Sequence, residues 1–143
     1  MRLRKILSSL LLNAGAGMMV LGGLGDLFVA SPPNAWTSVL SQPSNQLPAG
    51  TVLLLMALLH ALGGALMASG VAILFLANGP LRRGSKSAAL AIILISLLSD
   101  GGNAFQIYHL GLAYFWVPLT FVGLVLLGVS FALCPSPVFT GET

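Results

Sequence analysis

Residues 87–109 read SAALAIILISLLSDGGNAFQIYH, twenty-three positions with one charged side chain, Asp100. At about 1.5 Å per residue a helix of that length covers roughly 35 Å, enough for the ~30 Å hydrocarbon layer of a bilayer. The cations Arg82, Arg83 and Lys86 stand just ahead of it. Toward the N-terminus, the only charged residue between Lys5 and Arg82 is Asp26, and toward the C-terminus the only one between Lys86 and Glu142 is Asp100. Each of these stretches is too long for one crossing and suits two.

The breaks fall where helices must stop. The spans are expected at about 6–29, ending before Ser31-Pro32-Pro33; at 49–77, ending at Asn78-Gly79-Pro80; at 87–109; and at 112–133, ending before Cys134-Pro135-Ser136-Pro137. Across the 143 residues 57% are hydrophobic and 6% charged, where soluble domains carry roughly a quarter charged. So small a chain has too little interior to hide that apolar surface from water, which excludes a soluble enzyme and a disordered scaffold. The net charge of +3 sits in two short clusters and makes no extended basic face for nucleic acid. The expected fold class is all-α, a single integral membrane domain forming a four-helix transmembrane bundle.

All six cations precede the first span or lie between the second and third, while the loop 31–50 is uncharged. The positive-inside rule then puts both termini in the cytoplasm of an inner (plasma) membrane protein. Residues 1–30 also resemble a signal peptide, but the apolar run exceeds a typical h-region and Asp26 interrupts its end, so a retained helix is expected. Trp36 in the outer loop, with Tyr114 and Trp116, suits the headgroup level. Cys134 is alone, a small helix-end residue or an acylation site.

Lipid gives helices no hydrophobic reason to associate, so small residues and buried polar contacts must do it. Gly15, Met19, Gly22 and Asp26 share one face of the first span, and His60, Gly63, Gly64 and Met67 one face of the second. Asn13 reads as interhelical glue. Alignment of Asp26 with Asp100 leaves open a duplication of two hairpins.

The third span carries more polarity than packing needs. Ser96, Ser99, Asp100, Asn103 and Gln106 are spaced by three, one, three and three, along one side of a regular helix. A central Asp facing lipid costs on the order of 2.5–3.5 kcal/mol, so this side is expected to face the bundle interior or a wet cavity. By rise per residue, Asp100 lies ~20 Å from Ser87, Asp26 ~30 Å from Ile6 and His60 ~16 Å from Ala49. Asp26, His60, Asp100, Asn103 and His109 are therefore placed to converge in the outer half, with Asp100 either neutral or paired with protonated His60. The cluster Asp26, His60, Ser96, Ser99, Asp100, Asn103, Gln106 and His109 reads in three ways: a hydrogen-bond network fixing register, a site for a lipophile (quinone, sterol, polyisoprenoid or pigment), or an acid/base site using Asp100 and His60. No metal spacing is present. Gly101-Gly102 costs roughly 1 kcal/mol per residue in a helix, for close approach of a neighbour or for ligand room.

The segments Leu59-His60-Ala61-Leu62-Gly63-Gly64 and Leu98-Ser99-Asp100-Gly101, within four short spans, resemble the DoxX-like group of small four-helix bacterial membrane proteins. That resemblance implies the same fold and, through members linked to respiratory quinol oxidation, a quinone-related role. With almost nothing outside the bilayer, the expected function is an accessory or lipophile-binding subunit, with a quinone, lipid or pigment bound and membrane lipids, other subunits or further copies as partners. The alternatives are an intramembrane isomerase or quinol-linked oxidoreductase using Asp100 and His60, and a small transporter or channel built by oligomers.

Overall fold

The structure, a computed structural model, describes residues 2–134. Pro135 and Pro137, expected to close the fourth span, and Glu142 lie outside the described residues. Six α-helices follow in order: α1 (Arg2–Phe28), α2 (Asn34–Val39), α3 (Ala49–Asn78), α4 (Lys86–Ser96), α5 (Gly102–His109) and α6 (Trp116–Leu133). A five-residue π turn, Leu97–Gly101, joins α4 to α5 without a break. Four helical stretches are long and apolar enough to cross a membrane: Leu3–Phe28, Ala49–Arg83, Lys86–His109 and Ala113–Leu133. The first begins before the expected Ile6 because Leu3, Arg4 and Lys5 contain nothing that breaks a helix.

Local chemistry sets the ends. The α3 helix stops at Asn78, where the Gly79 N–H reaches the Phe75 carbonyl at 3.0 Å and Pro80 forbids continuation. Ser85 caps α4, its Oγ accepting from the Ala88 N–H at 3.2 Å. Gly111, at φ +72°, ends α5: its N–H donates to the Tyr108 carbonyl at 2.9 Å and the Leu112 N–H to Ile107 at 3.1 Å. That pairing is a Schellman closure, and its left-handed residue favours glycine. The short α2 helix inside the 31–50 loop was not expected.

The α1 helix packs against α3 and α6, and α4 against the same two from across the bundle, so sequence neighbours are spatial neighbours. The core joins Leu12, Ala16 and Met19 of α1 with Ile73 and Ala77 of α3, Ala88, Ala89 and Ile92 of α4, and Val125 and Val129 of α6. It is weighted toward the end that carries the basic residues. Small residues set the contacts of α1. A Cβ on Gly70 would lie 2.7 Å from the Ala16 carbonyl oxygen, one on Gly15 2.9 Å from Val125, and one on Gly128 2.7 Å from Leu12. The face containing Gly63 and Met67 meets α1 at Gly23. Gly22, which the spacing puts on one face with Gly15, Met19 and Asp26, has only Phe121 near it, at 4.0 Å.

Candidate functional site

The polar residues of the third span part into two groups, and the π turn is the cause. Its backbone runs one residue longer than an α turn, with the Gly102 N–H reaching back to the Leu97 carbonyl. In a regular helix every step of four residues drifts by about 40°, so positions 88, 92, 96, 100 and 104 would leave a common face. All five are buried here, because the wider turn takes back that drift. Ser96 and Asp100 therefore point inward, at 0% and 1% exposure, on a line continued by Ala104 and Ile107.

Neither inward group has a protein partner. Ser96 Oγ and Asp100 Oδ2 are buried and receive no hydrogen bond. An unpaired carboxyl in an apolar interior costs several kcal/mol, and an ionised one far more. A π turn is itself rare and recurs at functional sites.

The second group faces sideways. Ser99, Asn103 and Gln106, with Gly102, line a cavity of about 430 Å³ between α5 and α3. Leu62 and Leu66 form its α3 wall, and Leu98, Ile107 and Leu110 extend the apolar lining. Ser99 Oγ is turned back onto the Ile95 carbonyl at 2.7 Å. Asn103 is half-buried and Gln106 exposed, and neither amide bonds to another protein group. The Gly101-Gly102 pair is not a helix contact: nothing lies within 4 Å of a Cβ on Gly102, and around Gly101 only atoms of its own helix come to 4.0 Å. The glycines leave space. Trp36 and Tyr114 also line this cavity, and the Trp36 indole N–H donates to the Tyr114 hydroxyl at 3.0 Å, tying the 31–50 loop to the entry of α6.

The remaining candidates lie elsewhere. His60 Nε2 stands 3.3 Å from the Val29 carbonyl oxygen at the end of α1. Asp26 is half-buried, its backbone at the α1–α3 crossing, where a Cβ on Gly63 would come 2.8 Å from the Asp26 Cβ. No ion pair links Asp26, Asp100 or His60 among the described residues, so the structure does not join Asp100 and His60 as an acid/base couple. His109 is exposed and stacks on Phe105, with ring centroids 5.5 Å apart. The eight candidate residues thus occupy an inward pair, a lateral groove, the α1–α3 contact and the exposed end of α5, and the five expected to converge are spread over all four.

A polar chain at the basic end was only partly foreseen. Asn78 Nδ2 donates to Asn13 Oδ1 at 2.8 Å, Asn13 Nδ2 to the Ser9 carbonyl at 2.6 Å, and Arg82 to Ser9 Oγ at 2.8 Å. Asn13 does bridge helices; Asn78 and Arg82 sat in the expected stop signal and topogenic cluster, so their pairing left no periodic trace. No family model, curated protein or solved structure matches the chain.

Proposed function

We propose that the chain crosses a bacterial inner membrane four times, with both termini in the cytoplasm, and serves as a small lipophile-binding subunit whose groove between α3 and α5 takes a molecule with a hydrogen-bonding head and an apolar body. The observation that carries this reading is the groove itself: apolar walls of Leu62, Leu66 and Leu98, with the amides of Asn103 and Gln106 unpaired beside glycine-made space. A concave, largely apolar site with a few convergent polar groups is what small-molecule recognition needs. Quinones and comparable carbonyl- or hydroxyl-bearing lipids fit that chemistry, since an amide both donates to and accepts from such a head. The confinement of all described basic residues to one end of the bundle supports the orientation. Exposed apolar helix faces such as those bearing Leu53, Leu54 and Phe75 are open to lipid, other subunits or further copies.

The test is purification of the full chain in mild detergent, followed by extraction and mass spectrometry of bound lipophiles. One species retained near stoichiometry in wild type, and lost in an Asn103→Leu, Gln106→Leu double variant of normal thermal stability, supports the reading. Equal retention by the double variant overturns it.

A further inference from the structure

The basic end of the bundle holds a second and larger cavity, of about 570 Å³, between the start of α1 and the ends of α3 and α6. Its lining is mixed: Lys5 and Arg82 with the polar Ser9, Asn13 and Asn78 on one hand, and apolar side chains such as Leu81 and Phe131 on the other. Among the described residues, no carboxylate lines it. Asp26 is about 31 Å from Lys5 along α1, and Asp100 about 21 Å from Lys86 along the third span, both well beyond the ~8 Å screening length of physiological salt. Neither Lys5 nor Arg82 forms an ion pair among the described residues.

Arg82 is nonetheless held in place. One guanidinium nitrogen donates to Ser9 Oγ; Ser9 is held by Asn13, and Asn13 by Asn78. Among the described residues the other guanidinium N–H groups have no partner, and Lys5 adds an ammonium to the lining of the same cavity. A hydrogen-bonded chain thus positions a cation at a cavity that it helps to line, beside an apolar part formed by residues such as Leu81 and Phe131.

We propose that this cavity binds an anionic membrane phospholipid, its phosphate held by Lys5 and Arg82 and the upper part of its acyl chains lying against Leu81 and Phe131. The shared recognition chemistry is a phosphate group, which arginine grips through paired N–H donors. The apolar part of the lining, Leu81 and Phe131 included, favours a lipid over free phosphate, and basic pockets between membrane helices are suited to such headgroups. The site is separate from the groove and stands or falls without it.

The experiment is native mass spectrometry of the full chain in neutral detergent, offered equal amounts of phosphatidylglycerol and phosphatidylcholine. Wild type is expected to retain phosphatidylglycerol preferentially. Lys5→Gln with Arg82→Gln should lower that retention by about thirtyfold, the effect of two basic contacts. Arg83→Gln with Lys86→Gln removes the same charge outside the cavity and should leave retention within about twofold of wild type. Equal retention of the two lipids by wild type, or equal loss in both double variants, overturns the site. Displacement of phosphatidylglycerol by millimolar inorganic phosphate overturns the lipid assignment and leaves a simple phosphate site in its place. The wild-type comparison decides the matter even if the Lys5/Arg82 variant fails to fold.

Discussion

Gly63 of α3 lies directly against Gly23 of α1: a Cβ on Gly63 would come 2.6 Å from the Gly23 carbonyl oxygen, closer than any real side-chain carbon approaches backbone. The next residue, Gly64, has nothing within 4 Å of the same position. Two adjacent glycines of identical chemistry therefore have opposite structural weight.

Gly63→Ala should force the α1 and α3 backbones apart and cost about 1–3 kcal/mol, the usual penalty of overpacking. Gly64→Ala should be neutral or stabilise by up to about 1 kcal/mol through helix propensity. Thermal unfolding of both variants in the same detergent reads the difference. Equal midpoints would mean that the two helices are not in backbone contact.

Asp100 gives a prediction of the opposite sign to ordinary core mutagenesis. Its Oδ2 is buried with no protein donor, so replacing it with an apolar group of similar size removes a desolvation penalty rather than a contact. Asp100→Val should hold stability or raise it by about 1–3 kcal/mol. A fall of the size seen when a core leucine is truncated would show that the carboxyl is bonded after all.

The Trp36–Tyr114 hydrogen bond joins two residues that line the groove, and a neutral bond of this kind is worth about 1 kcal/mol net. In a Trp116→Phe background, where Trp36 is the remaining tryptophan, Tyr114→Phe should increase acrylamide quenching of the indole. Unchanged quenching would place Trp36 away from Tyr114.

The orientation has its own check. In a Cys134→Ser background, a cysteine at the exposed Ser41 should react with an impermeant thiol reagent added to intact cells. Labelling only after lysis would reverse the topology.

The four long helices were legible because charge is so sparse: from Lys5 to Arg82 the sequence offers one charged residue and one proline-rich break, and two crossings follow almost by counting. The glycine faces were legible in outline, but which of Gly22 and Gly23 meets α3 depends on the crossing angle, and no periodicity carries it. Trp36 with Tyr114, and Ser9 with Arg82, are separated by 78 and 73 positions, so their contacts arise from tertiary folding alone. The polar stripe of the third span was read as one face because every step was taken at the α-helical angle; the π turn adds a residue to one turn, and a hydrophobicity pattern leaves no mark of it.

That surplus residue has a practical consequence for anyone comparing this helix with another. Set beside an uninterrupted helix, the two halves register only if a single-position gap is opened somewhere in 97–101. A gapless alignment would swing everything after Asp100 by about 100° and equate Asn103 and Gln106 with positions they do not share.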